Sequence, residues 1–398
     1  MKQTVAHLLP DYNPFPPSYP AGTELRVEQV ARRQQRYRPL VACGWFPGQA
    51  ESEQLGSMYV RRIRVGRLYR RMFQKLTRLD PLPYAERMWR ILVQERAVLL
   101  HVHNEPKLLD GLQMRIREAS LPVVVHVANE KPLPRTAVNL VTQWVACSHY
   151  IADWLVSANG IPRQRVEVIY TGVDSTQCRP QWEMSAQCRR TLRQRYGISK
   201  ENVIVLVFAG RLVKEKGVVE LLDAFDRLRA IHGENIELLI AGNIRESDDP
   251  RNEKAIYGKG VVARMERTPG ARWVGSLAPQ DVHGFLVAGD IFVLPSLWHD
   301  PFPTAMLEAA AAGLPIVAAA RGGMREFLGE CPGFDPAMRP EDPQSLAAAI
   351  ERYVSAEEGR RASARWLRDK VEKQFDWSRV CIEFENLYDK LLDQGTAG

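Results

Sequence analysis

Short apolar runs alternate with helix-patterned segments along most of this chain, and each run has the length of a strand. Runs that are apolar throughout, not at every second position, mark strands buried on both faces, as in a parallel sheet covered by helices. In the first half the candidate strands are Thr4 to Leu9, Leu40 to Gly44, Val98 to Val102, Val123 to Val127, Trp144 to Cys147 and Val166 to Ile169. Helical patterns fall at Thr23 to Gln35, Arg67 to Leu79, Tyr84 to Arg96, Leu108 to Ala119 and Ser148 to Asn159. A second series has strands at Val203 to Ala209, Ile236 to Ala241, Ala271 to Val274, Ile291 to Leu294 and Ile316 to Ala320. Its helices lie at Val218 to His232, Gly258 to Glu266, Gln280 to Ala288 and Pro303 to Ala312. The pattern predicts an α/β chain. At 398 residues it exceeds one ordinary core, so two doubly wound domains are expected, facing each other across a cleft at the carboxyl ends of their strands. The looser "STQCRPQWEMSAQCRR", after Asp174, reads as the connection between them.

The segment from Val293 to Gly323 shows the local logic. Pro295 ends one apolar run, Pro315 opens the next, and the helix between them has Pro303 at its start and Gly313 just past its end. In a strand-helix-strand unit the helix N-terminus lies at the carboxyl ends of the strands, where free amides and the helix dipole favour an anion. A phosphate-bearing ligand near Phe302, Pro303, Thr304 and Ala305 therefore has a physical basis. Glu308, about one turn further in, is placed to accept hydrogen bonds from sugar hydroxyls if its face turns to the strand ends; otherwise it is a solvated helix glutamate. The loop "GRLVKEKG", Gly210 to Gly217, likewise leaves a strand and enters a helix. Arg211 and Lys216 in it suit a diphosphate, the guanidinium by a planar two-pronged contact and the ammonium as a mobile point charge. Two exposed loop cations are the plainer reading. Neither a Walker loop nor a dinucleotide fingerprint is present.

Charge and cysteines narrow the class. Hydrophobic content of 45% and charged content of 25% are those of a soluble globular protein, and no apolar run is long enough to span a bilayer, so a cytoplasmic location is expected. Six scattered cysteines show no zinc or redox spacing. The net charge of +7 is concentrated between Val60 and Leu79, where eight Lys or Arg occur with no acid. With Leu68, Met72, Phe73, Leu76 and Leu79 at helical spacing, residues 60–79 read either as a basic amphipathic helix for an anionic membrane surface or acidic acceptor, or as a core helix with a solvated basic face. Nucleic acid is a poorer partner, because no recognition motif accompanies the charge.

"GRLVKEKG", "LLIAGN" (Leu238 to Asn243), "WVGSLAPQDV" (Trp273 to Val282), the Val293 segment and "FDWSRVCIEFENLY" (Phe375 to Tyr388) together resemble the retaining nucleotide-sugar glycosyltransferases of family 4. The first half resembles them more loosely through "LLHVHNEP", "VVVHVANE", "VACSHYIADWL" and "VIYTGVD", and the basic segment resembles their spore-coat-associated branch. The resemblance implies the GT-B fold: an N-terminal Rossmann-like domain over 1–178, a nucleotide-sugar-binding domain over 179–371, and a C-terminal helix at 372–398 that returns to the first. It also implies roles. Arg211 and Lys216 would bind the donor diphosphate and neutralise the leaving phosphate, and their alanine variants would keep the fold. Glu308 would bind the ribose, and the Phe302 to Ala305 amides the phosphates and sugar. Asp300 stands where the family has the first glutamate of a Glu-x7-Glu motif, one methylene shorter, and Pro303 stands where it usually has glycine. His126 would lie near the reacting centre, with His103 as a possible acceptor-side group; a buried core histidine is the alternative for each. Gly22 would let the first loop approach the phosphates.

No cofactor and no metal are implied, since no Asp-x-Asp pair occurs to hold one and the two cations could do its work. The expected substrate is a nucleoside diphosphate sugar, UDP-linked foremost, with GDP and ADP as alternatives. The acceptor would be a glycan, lipid-linked or coat-associated hydroxyl, reached in the cytoplasm, at the inner membrane face or at the spore coat. A sugar-nucleotide epimerase or hydrolase of the same fold, and a non-catalytic glycan-binding protein, are the rival readings.

Overall fold

In the computed structural model, which describes residues 2–17, 21–66, 82–244, 249 and 251–396, the two series of apolar runs build two separate sheets. The first contains β1 (Thr4–Leu8), β2 (Arg38–Gly44), β3 (Ser52–Leu55), β4 (Met58–Ile63), β5 (Ala97–His103), β6 (Val123–Val127), β7 (Gln143–Ala146) and β8 (Val166–Val168). Their order is β3-β4-β2-β1-β5-β6-β7-β8, and only β3 is antiparallel to its neighbour. The second contains β9 (Ile204–Ala209), β10 (Ile236–Ala241), β11 (Ala271–Trp273), β12 (Ile291–Leu294) and β13 (Ile316–Ala318), in the order β11-β10-β9-β12-β13 and all parallel. Both sheets are those that the pattern of buried runs predicts. The β3-β4 hairpin is not; it occupies residues whose exposed and half-buried positions gave no apolar run to read.

Some helices begin where a side chain caps them. Ser148 Oγ accepts from the Ile151 amide at 3.3 Å at the head of His149–Asn159, and Asn252 caps Glu253–Glu266, so that helix starts before the apolar pattern at Gly258. Leu108 to Ala119 is not one helix but a tight turn over Pro106–Gly111 and a short helix over Gln113–Glu118. "STQCRPQWEMSAQCRR" is not a loose connection throughout, because its end enters the helix Ala186–Arg195. The expected basic helix at 67–79 lies outside the described residues, and residues 60–63 belong to β4.

The chain separates into a unit of Met1–Thr171 with Trp377–Gly398 and a unit of Gly172–Asp376. Residues 172–178, which the sequence reading put with the first domain, fall in the second. The reason is a set of polar bonds near its ends. The Val173 amide donates to the Phe375 carbonyl at 2.9 Å, and Ser175 Oγ donates to Asp376 Oδ2 at 2.6 Å. Buried Arg368 donates to the carbonyls of Ser175 (2.8 Å), Ala311 (2.6 Å) and Cys178. Within the first unit the C-terminal helix Trp377–Thr396 lies on one sheet face, where Val380, Phe384, Leu387 and Tyr388 pack with Val5, Leu99, Val124 and Val145. Glu385 fixes it by accepting from the amides of Gln35 (2.8 Å) and Arg36 (2.7 Å).

Arg368→Met should destabilise the protein by about 3 kcal/mol, because three buried carbonyls lose a charged donor at once. Urea unfolding measures this, and Arg368→Lys should recover only part of the loss.

Candidate functional site

In the second sheet the strand order reverses between β9 and β12: from β9 the chain goes to β10 and β11 on one side, and from β12 to β13 on the other. Such a reversal splays the following loops apart and opens a crevice at the carboxyl ends of the strands. The loop after β9 carries Arg211 and Lys216, and the loop after β12 carries Asp300 and Phe302 and leads to Glu308. Most of the expected donor residues thus come from two adjacent loops.

The backbone holds these loops against each other. Gly217 has φ +69°, and a Cβ on it would lie 2.0 Å from the Pro295 carbonyl oxygen, so only glycine satisfies both the conformation and the approach. The Leu297 amide donates to the Glu215 carbonyl at 2.9 Å. On the far side, the Gly323 amide donates to the Asp300 carbonyl at 2.9 Å, and Arg321 donates to the Leu297 carbonyl at 2.6 Å. Gly322, at φ +54°, passes so close that a Cβ would sit 2.3 Å from the Asp300 carbonyl oxygen. Sequence reading missed this grip by Gly217, Arg321 and Gly322, although a Gly-Gly pair a few residues after a strand was a signal for it.

The side chains divide by exposure. Arg211 is exposed, and its guanidinium makes no hydrogen bond or ion pair to any described residue, although its carbonyl accepts from the Val213 amide at 3.0 Å. Lys216 forms an ion pair with Asp300, their side chains 12% and 7% exposed, and its ammonium lies 6.0 Å from the centre of the Trp298 ring. Lys216 is therefore not a free loop cation, and its loss would leave a buried carboxylate unpaired. The Lys216 alanine variant, expected from the sequence to keep the fold, should do so at reduced stability. The helix begins at Thr304, one residue after the predicted start, because Pro303 serves as its cap. Pro303 supplies no side-chain acceptor, which leaves the Thr304 and Ala305 amides facing outward from the first turn. Phe302 is buried and stacks on Phe375 at 5.7 Å, so its side chain anchors the loop. Glu308 is part-buried, and loss of water around its carboxyl pushes its pKa up to about 7.

The first unit treats its expected residues differently. Gly22 begins the helix Gly22–Arg33 instead of lying in a loop, and a Cβ there would meet nothing within 4 Å. His103 and His126 are fully buried, side by side in the β5-β6 register. The ring nitrogens of both are buried. His126 Nδ1 is 3.0 Å from Arg26 Nη1; since arginine only donates, that nitrogen accepts and the proton is on Nε2. Burial first, then neighbouring positive groups, hold both imidazoles well below their usual pKa and keep them neutral. The core reading of both histidines is the one the structure supports.

Comparison with known proteins adds the following. Residues 189–366 match the model of glycosyl transferases group 1, and residues 20–177 match that of glycosyltransferase family 4. The lipopolysaccharide 1,2-N-acetylglucosaminetransferase of Salmonella typhimurium is 30% identical over 387 residues, 94% of this chain and 96% of that protein. Spore coat protein SA of Bacillus subtilis is 27% identical, over 78% of this chain and 83% of its own. Among solved structures, sucrose-phosphate synthase of Thermosynechococcus elongatus superposes with TM-score 0.78 at 17% identity, covering 99% and 100% of the two chains. Anabaena Alr3699/HepE in complex with UDP-glucose does so with TM-score 0.72 at 20% identity, covering 97% and 99%. No described helix is long and apolar enough to cross a membrane.

Gly217→Ala should lower stability by roughly 3 kcal/mol, the sum of a left-handed backbone and a displaced Pro295. Gly22→Ala should leave the melting temperature unchanged. Thermal unfolding of the two variants side by side tests the contrast.

Proposed function

Since the chain belongs to the glycosyltransferases of group 1 and family 4 and has their two Rossmann-like domains, we propose that it is a retaining, metal-independent transferase acting on a cell-envelope glycan. The observation that carries the reading is the pairing of an exposed, unpartnered guanidinium, Arg211, with an uncapped helix start at Thr304, on the two loops that flank the strand-order reversal. That combination suits a diphosphate. Arg211 contacts it with two parallel N–H groups, Lys216 adds charge when it shares or leaves Asp300, and the Thr304 and Ala305 amides take further oxygens. These groups do the work a divalent ion does elsewhere, and metal independence follows from them.

As the bond from the anomeric carbon to the leaving phosphate breaks, Arg211 and Lys216 stabilise the charge that develops there. The acceptor oxygen bonds to the same face of the sugar, and its proton passes to a phosphate oxygen of the leaving group. Configuration is thereby retained without a protein nucleophile. Glu308, as a carboxylate, accepts from the ribose hydroxyls, and Asp300 meets the donor sugar from a shorter reach than a glutamate would. UDP is the favoured carrier, as in the UDP-glucose complex of a protein with the same fold, and an N-acetylglucosaminyl or glucosyl group the favoured cargo. The envelope acceptor follows the Salmonella relative, whose similarity spans nearly the whole of both chains.

A thermal-shift screen against UDP, GDP, ADP and their sugar conjugates, with and without magnesium, is the direct test, since ligand that binds only the native state raises the melting temperature. A magnesium-independent shift with one nucleotide, lost in Arg211→Ala, is expected; no shift with any nucleotide would overturn the reading. Arg211→Ala should lower kcat/KM by about 100-fold or more at unchanged stability, whereas Lys216→Ala should lower both activity and melting temperature.

Donor affinity should also depend on pH. The Glu308 carboxyl has its pKa raised to about 7, so the carboxylate that receives the ribose is depleted below that pH. Nucleotide affinity should therefore fall as the pH drops from 8 through about 7 to 6, and Glu308→Gln should bind more weakly with the slope removed. Titration calorimetry at several pH values reads both.

A further inference from the structure

Parallel strands buried on both faces ordinarily carry only apolar residues, yet β1, β5 and β6 place four fully buried histidines on the face covered by the C-terminal helix. His101 and His103 stand two apart on β5 and so share a face, and His7 on β1 is the register partner of His101. Two ligands from one strand at that spacing and a third from its neighbour can converge on one point. Here they do: one ring nitrogen from each of His7, His101 and His103 lies within 4.8 Å of the others.

The nitrogens are oriented for ligation. His7 Nε2 lies 3.1 Å from Gln34 Oε1, an acceptor, which puts the His7 proton on Nε2 and leaves Nδ1 as a lone pair. That Nδ1 lies 3.0 Å from His103 Nε2. His101 Nδ1 is 2.7 Å from the Tyr388 hydroxyl, and its other nitrogen, Nε2, is buried with no partner among the described residues. Two of the three rings are thus held through their outer nitrogen by a second residue, the arrangement that fixes tautomer and ring angle in protein metal sites.

We propose that His7, His101 and His103 form a binding site for a divalent metal ion of the zinc type in the first unit, bound through His7 Nδ1, His101 Nε2 and His103 Nε2. Three imidazoles are a complete protein donor set for zinc, with the fourth position left to a solvent oxygen. Metal entry replaces the hydrogen bond between His7 and His103, and the His103 proton moves to Nδ1, now buried without a partner. The site uses none of the donor residues of the second unit, so it is independent of the proposed transfer chemistry. Its role is to tie β1 and β5 and, through Gln34 and Tyr388, the end of the Gly22–Arg33 helix and the C-terminal helix together.

The full-length protein, stripped with a chelator and desalted, is titrated with zinc and with cobalt(II). One equivalent of zinc retained after gel filtration, a melting temperature that rises with free zinc, and the visible d–d bands of a low-symmetry cobalt site are expected. His101→Gln should lose all three, while His126→Gln, which removes a neighbouring imidazole outside the set, should keep them. If His101→Gln does not fold, His7→Gln takes its place. Failure of the native protein to retain zinc or to show cobalt bands overturns the proposal, as does undiminished binding by the His101 or His7 variant.

Discussion

The approach of Gly217 to Pro295 is the contact on which the donor side depends. It joins the two loops that follow β9 and β12, and those loops hold Arg211, Lys216 and Asp300. A side chain at 217 would force them apart, since its Cβ would meet the Pro295 carbonyl oxygen at 2.0 Å, and would strain the neighbouring bond from the Leu297 amide to the Glu215 carbonyl. The Asp300–Lys216 ion pair is possible only inside this frame, because both chains are mostly buried and each needs the other. The fold therefore fixes one cation and leaves another, Arg211, exposed and unpaired. Such an asymmetric pair suits a ligand that must be held firmly and then released.

Much of this was legible in the sequence, for identifiable reasons. Buried parallel strands read as unbroken apolar runs, so β1, β6, β9, β10 and β12 were found within a residue or so of their bounds. Proline and glycine marked the helix before and after Glu308. Less legible were elements whose side chains alternate or are mixed: β3 and β4, the Ala186–Arg195 helix with its arginines, and the broken segment from Pro106 to Glu118. The donor loops could be read because glycine and charge at strand ends have few other uses. Their grip on each other could not, because Gly322 and Arg321 act on carbonyl oxygens, which carry no residue identity.

Histidine is where pattern and structure part. The family resemblance put His126 near the reacting centre and His103 on the acceptor side, with a buried core histidine as the alternative for each. Both instead lie inside strands whose two faces are covered, so their rings point into the core. What distinguishes the two cases is register: His101 and His103 share a face with Leu99, just as His126 shares one with Val124, and Leu99 and Val124 pack beneath the C-terminal helix. That helix lies more than two hundred residues further along the chain, so the apolar runs around the histidines announce a buried strand but not the element that covers it.

Polarity is thus distributed in opposite ways in the two units. In the second, charged groups stand at loop ends and a helix start is left uncapped, at some cost in stability but with groups available to a ligand. In the first, the most unusual polar residues are drawn inside and only partly satisfied by one another: Arg26 donates to Thr171 at 2.7 Å and lies against His126, and His7 lies between Gln34 and His103, while one ring nitrogen each of His101, His103 and His126 is buried with no partner among the described residues. Burying so many polar groups is costly unless each is partnered, so such a core is far less tolerant of substitution than an apolar one. The neighbouring positions of the same strands are mostly valine or leucine. In β1 and β5 the imidazoles of His7, His101 and His103 converge on one point, which apolar packing alone does not require.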